Sequence, residues 1–259
     1  VGGRYTVQVS HQYPFRVRDR LAQVLDVPKS AIRIVGHHIG GGFGAKLDLG
    51  LEPYAAILAR RTRRPIKMVN NTEEERLTAP CRENATVNIR SAVMNDGTIL
   101  AMEVVAYYDS GAYSGFLPLG FLPGPRHCVG PYHIPHARVT AHHVYTNRVP
   151  AGHMRGPGEP QALWALESHI DEIALQLGID PVAYRLANLA AAGEPVALGE
   201  IYEENRSKET LQAAVDGAGY ATPNTKATDG MLYGRGVAMG ERAPGGGQNN
   251  AQVTLHQDG

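Results

Sequence analysis

The run GGGFGAK, residues 40–46, sets three consecutive glycines, a phenylalanine and a fourth glycine between a strand-like and a helix-like segment. Glycine loses more conformational freedom on folding than any other residue, so a cluster of them must answer a geometric need. Two needs fit. A tight strand-to-helix turn requires positions free to take positive φ. A loop whose backbone N–H groups approach an anionic or oxo ligand requires positions where a Cβ would collide. Under either reading, strands and helices must follow one another closely through compact loops.

The remainder of the chain has the same mixed character. Its 30 glycines and 17 prolines cut it into short elements whose period alternates between two and roughly 3.6 residues. TVQVS, 6–10, alternates as a strand, and FRVRDRLAQVL sets Val17, Leu21, Val24 and Leu25 on one helical stripe. AIRIV, 31–35, reads as a strand leading into the glycine loop. LEPYAAILARR, 51–61, reads as the helix after it, and PIKMV, 65–69, as a buried strand. Between Asn84 and Val105 two alternating segments flank Asn95-Asp96-Gly97, a hairpin signal. The Gly- and Pro-rich stretch from Asp109 to Pro135 reads as a loop-rich wall, and HARVTAHHVYTN as a further strand.

Leu163, Leu166, Ile170, Ile173 and Leu177 then recur at helical steps of three and four, with Gly178 placed for a left-handed C-terminal residue. Asp180 and Pro181 supply an N-cap and first position for the next helix. Residues 207–217 form a third, and YGRGVAM and QVTLH read as strands. The expected fold class is α+β, with mixed sheets, packed helices and two subdomains. The first, 1–150, carries the glycine loop; the second, 151–259, opens with RGPGEP and is expected to be incomplete at its C-terminal end. Absence of an initial Met, and a final Asp258-Gly259 turn signal without a returning strand, suggest a piece of something longer.

Lys plus Arg and Asp plus Glu are equal at 25 each, so no basic excess points to nucleic acid or an anionic membrane. No apolar run approaches the ~20 residues of a membrane span, and nothing resembles a signal peptide. Two cysteines, Cys81 and Cys128, are too few for a disulfide framework in a chain this long, which places the expected setting in a reducing cytoplasm.

Which ligand the loop would take is narrowed by its neighbours. A P-loop needs Gly-Lys followed by Ser or Thr, whereas Lys46 follows Ala45 and precedes Leu47. Gly40, Gly42 and Ala45 satisfy the G-x-G-x-x-A of a dinucleotide turn. Yet the loop follows the second strand, and the next strand ends at Asn70-Asn71 without an acidic residue for the ribose. A Rossmann-type NAD(P) binder stays open as an alternative.

Taken with TNRVPAGHMRGPGEPQALWALESHIDEIALQLGIDPVAYRLANL, 146–189, GGGFGAK resembles the molybdenum cofactor-binding subunit of the xanthine dehydrogenase and aldehyde oxidase family. The approach through Ser10-His11-Gln12, RVRDRLAQVL and VPKSAIRIV is also similar, as is NNTEEERLTAPCREN. The resemblance implies an oxidoreductase subunit that converts C–H to C–OH on an aldehyde, an N-heteroaromatic, or an aromatic acid or its thioester, with water as oxygen source. It implies a molybdenum-pterin cofactor, molybdopterin or its cytosine dinucleotide, held without any protein side chain on the metal. Gly41, Gly42, Phe43, Gly44, Arg155 and Gly156 match cofactor-binding positions, and Arg82 and Arg155 match substrate-pocket arginines suited to an oxyanion.

Departures from the family pattern carry information too. Leu47 stands where purine oxidisers have a glutamate, and Gly156 where the carbon monoxide dehydrogenase branch has its copper-binding cysteine. The family's general-base glutamate has no match here, and Glu159 occupies a variable position. The resemblance therefore implies that this segment supplies one wall of a site. The remaining molybdopterin-binding segment, and iron–sulfur and FAD subunits or domains, would come from elsewhere. The other alternative is a non-catalytic scaffold or interaction module that keeps the family fold.

Other conspicuous residues read blandly. His37-His38 and His142-His143 present one ring to each face of a strand, and no cysteine or carboxylate cluster joins them or His133 and His136 in a metal set. Trp164 is expected in the core. Arg60 to Arg64 are expected to meet the negative end of a helix, and Glu73 to Arg76 to form a solvated turn.

Overall fold

The computed structural model describes residues 3–113, 124–221 and 234–241. Its first unit is strand β1 (Tyr5–Val9), helix α1 (Pro14–Leu25) and strand β2 (Ile32–Gly36), the strands pairing in parallel. Pro14 opens α1, where its missing N–H costs nothing. The helix buries Val17, Leu21, Ala22 and Leu25 against Ile32 and Ala56. Val24, expected on this stripe, points outward instead, and Ala22 takes its place on the inner face. Helix α2 (Glu52–Thr62) follows the glycine loop. Arg60 and Arg61 lie in its last turn, and Arg60 donates from Nη1 to the Leu25 carbonyl at the end of α1 (3.0 Å), so this part of the basic run sits at helix C-termini.

PIKMV forms no strand. Its residues are mostly exposed, Val69 at 71%, and none pairs with another strand among the described residues. An apolar run has the composition of a buried strand, but without a ladder partner it cannot be one. The following acidic run is helix α3 (Thr72–Thr78) rather than a turn, because Asn71 and Glu74 close a reciprocal capping box at 2.9 and 2.8 Å.

The second unit is a three-stranded sheet of β3 (Ala85–Val93), β4 (Ile99–Gly111) and β5 (His136–Tyr145), with β4 central, antiparallel to β3 and parallel to β5. The β3–β4 hairpin turns at Asn95-Asp96-Gly97, where Gly97 takes φ +96°. Of the expected loop-rich wall, residues 114–123 lie outside the described residues and 124–128 form a 3-10 turn. On β5, His142 stacks on Tyr107 and His143 meets Tyr108 edge-on, so this doublet faces opposite sides, whereas His37 and His38 lie past the end of β2 and outside any strand. Helix α4 (Glu159–Leu177) packs on the sheet, α5 (Pro181–Asn188) on α4, and α6 (Ser207–Gly217) on α5.

Leu166 and Ile170 of α4 meet Ile99, Met102 and Val104 of β4 in the larger core. Each such fully buried aliphatic side chain contributes about 1.5–3 kcal/mol. Trp164 is 76% exposed, correcting the core expectation: it lies off the Leu166–Ile170 stripe. Gly234–Met239, the described part of YGRGVAM, is not a strand. The Met239 N–H instead donates to Glu167 (2.7 Å), which also accepts from Tyr132 and the buried Arg185. QVTLH lies outside the described residues. The larger core draws on strands before position 150 and helices after it.

Candidate functional site

The glycine loop leaves β2 and turns back under residues 10–12. Gln12 holds it from below, its N–H donating to the Lys46 carbonyl (2.9 Å) and its Oε1 accepting from the Gly44 N–H (2.9 Å). Lys46 reaches back to the Ile39 carbonyl (2.6 Å), which pins the loop's mouth. Phe43 sits at φ +52°, a conformation that costs a non-glycine residue on the order of 1 kcal/mol. Phe43 is 62% exposed, and its ring lies over Gly41. Gly44 sits at φ +101°, and a Cβ there would lie 3.0 Å from the His153 carbonyl carbon and oxygen. The loop is therefore bare because the segment bearing Arg155 presses against it.

That second segment runs from Ala151 into α4. Gly156 and Gly158 both take positive φ, which bends RGPG sharply before Pro160 joins the first turn of the helix. The two bends meet directly: the Arg155 N–H donates to the Phe43 carbonyl at 2.6 Å. Asp48, just past the loop, accepts from His153 Nδ1 (2.9 Å) and lies 3.6 Å from Arg16. Burial would raise the Asp48 pKa, but the His153 bond and charge, with Arg16, outweigh it and hold the carboxyl below its ordinary value.

All the residues singled out from the sequence gather here. Gly41, Gly42, Phe43 and Gly44 form one bend, Arg155 and Gly156 the other. Arg82 joins them by donating from Nη2 to the Arg155 carbonyl (2.7 Å) and from Nη1 to the Gly156 carbonyl (3.0 Å). The Arg155 residue is exposed. Glu159 is buried at the start of α4, its Oε1 3.8 Å from His127 Nε2, and a Cβ on Gly156 would lie 2.7 Å from its Oε2.

Sequence reasoning did not single out Gln12, Asp48, His153 or Glu83. Glu83 is 4% exposed, and neither carboxylate oxygen makes a well-formed hydrogen bond. Burial pushes its pKa up, opposed in part by the N–H groups of Glu83 and Gly158 and by the Arg82 charge. No local pattern announces these residues, since Asp48 and His153 are paired across the fold. Among the described residues, no group of three or more His, Cys, Asp or Glu is placed to hold a metal ion. Cys81 is exposed; Cys128 is buried, its thiol pKa pushed up to about 11.

A family model described as "Molybdopterin cofactor-binding domain" matches residues 1–189. The chain belongs to that family. It is 37% identical over 213 residues to the nicotinate dehydrogenase large molybdopterin subunit of Eubacterium barkeri, covering 82% of this chain and 50% of that protein. It is 32% identical over 274 residues to the aldehyde oxidoreductase molybdenum-binding subunit of Escherichia coli (strain K12), covering 100% of this chain and 35% of the relative. Quinoline 2-oxidoreductase from Pseudomonas putida 86 superposes with a TM-score of 0.78 at 27% identity, over 84% of this chain and 29% of that one. The chain thus spans half or less of the length of these relatives.

The residues present fit a molybdopterin group. The N–H groups of Gly41, Gly42 and Phe43 have no acceptor among the described residues, and Gly41 and Phe43 are exposed. No helix among the described residues is long and apolar enough to cross a membrane.

Proposed function

We propose that this chain forms one wall of the active site in a molybdenum hydroxylase, within its molybdopterin-binding subunit. The observation that carries the reading is the junction of the Phe43 carbonyl with the Arg155 N–H, which brings an open backbone loop and an exposed guanidinium to one place. The substrate class is an aldehyde, an N-heteroaromatic or an aromatic acid derivative. The names of the relatives, which include nicotinate, aldehyde and quinoline, support that range. Leu47 offers no hydrogen bond to a purine edge, and Gly156 offers no thiolate for copper.

When bound, the molybdenum-pterin group supplies the oxidising centre for hydroxylation with oxygen from water. This chain's residues do the positioning. Gly41, Gly42 and Phe43 present main-chain donors, Gly44 lets the His153 backbone pack against the loop, and the exposed Phe43 offers an apolar face to a flat substrate. Arg155 orients a carbonyl or carboxylate through its charge, and Arg82 braces the same bend. The proton acceptor is a glutamate from outside this chain, and the electrons leave to iron–sulfur and FAD partners in the cytoplasm.

Metal and pterin analysis of the full protein tests the reading. We expect molybdenum and pterin in the purified protein, and loss of both in Gly44→Val, where strain and collision with His153 cost about 1–3 kcal/mol. A fully assembled, folded wild type without either would support the scaffold reading instead.

A further inference from the structure

The segment Cys81-Arg82-Glu83 runs alongside residues 152–161 and bonds to them at each of its own residues. The Cys81 carbonyl accepts from the Gly152 N–H (3.0 Å). Arg82 donates to the carbonyls of Arg155 and Gly156 at 2.7 and 3.0 Å. The Glu83 carbonyl accepts from Gln161 Nε2 (2.6 Å), in the first turn of α4. Because the bend is made by Gly156 and Gly158 at positive φ, helix hydrogen bonds do not satisfy the Arg155 carbonyl. Among the described residues, Arg82 is its partner. A guanidinium reaches two successive carbonyls from two separate nitrogens held in a rigid fork, whereas an ammonium must reach both from a single nitrogen.

From these contacts we propose that Arg82 is a positioning residue, a clamp that fixes the Arg155 bend against the glycine loop, rather than a substrate contact. Force passes from Arg82 to the Arg155 carbonyl, and from the Arg155 N–H to the Phe43 carbonyl. The Arg155 peptide therefore ties Arg82 and the glycine loop together within this wall. With one N–H of each terminal nitrogen on a main-chain oxygen, two of the five guanidinium donors are committed to the bend, and a substrate oxyanion is left only the Nε–H and the outer hydrogens. The proposal rests on the functional reading above for what the site does, but the clamp exists whether or not a cofactor binds.

The test is hydrogen exchange of the full protein, cofactor-loaded and cofactor-stripped, as wild type, Arg82→Ala and Arg82→Lys. Two bonds from a charged donor are lost in Arg82→Ala, so protection of the Arg155 amide and its neighbours should fall roughly tenfold or more in both states. Arg82→Lys should restore part of it. In the loaded enzyme, kcat should fall alike for charged and uncharged substrates with little change in KM. Unchanged protection in Arg82→Ala, with a rise in KM confined to anionic substrates, would overturn the clamp and make Arg82 a substrate contact. Should Arg82→Ala not fold, Arg82→Lys decides alone: full wild-type protection at Arg155 would overturn the proposal. A wild type without molybdenum would defeat the functional reading and leave the exchange comparison standing.

Discussion

At Glu83 a carboxyl group lies buried behind the Arg155 bend, and desolvation raises its pKa above the unfolded value. Between the two values the folded state holds a proton that the unfolded state has lost, so stability falls as pH rises through that window and then levels off. Glu83→Gln removes the ionisation while keeping the shape. Its melting temperature relative to wild type should therefore climb as pH is raised from about 4 to about 8. A difference independent of pH would show that Glu83 does not titrate with folding. For Asp48 the sign is opposite: its lowered pKa contributes stability at neutral pH that is lost only as pH falls through the carboxylate range. Sequence similarity alone singled out Arg82, but not Glu83 beside it. Residue type does not reveal which side chain a distant helix will cover.

Helices show where local chemistry was legible. Asp180 caps α5 by accepting from the Val182 and Ala183 N–H groups, both at 2.9 Å, as its place before Pro181 implies. Asp180→Ala should cost about 1 kcal/mol, read as a lowered denaturant midpoint with unchanged slope. No change would remove the cap from the account. Trp164 had the composition of a core residue, yet its position relative to Leu166 and Ile170 turns it outward. Trp164→Ala should stay within about 0.5 kcal/mol, whereas a buried tryptophan would cost about 3–5. Residues 65–69 failed as a strand for a different reason: strand formation depends on a neighbour, which periodicity cannot supply. The α3 capping box was present in the sequence as Asn71 and Glu74, and a carboxylate-rich composition masked it.

Across the whole molecule, the α+β class and the β3–β4 hairpin followed from periodicity and turn residues. The parallel pairing of β4 with β5 and the meeting of the glycine loop with the Arg155 bend did not. Those are long-range contacts, and only the paired motifs, about 110 residues apart, pointed to the meeting. The bends touch through one main-chain hydrogen bond, with Gln12, Asp48 and Arg82 holding them from three sides. Anomalous scattering at the molybdenum edge, measured on crystals of the full protein, locates the metal directly. A peak is expected in the space bordered by the Phe43–Gly44 backbone and Arg155; a peak elsewhere, with that space filled by protein, would show that these bends do not face the metal.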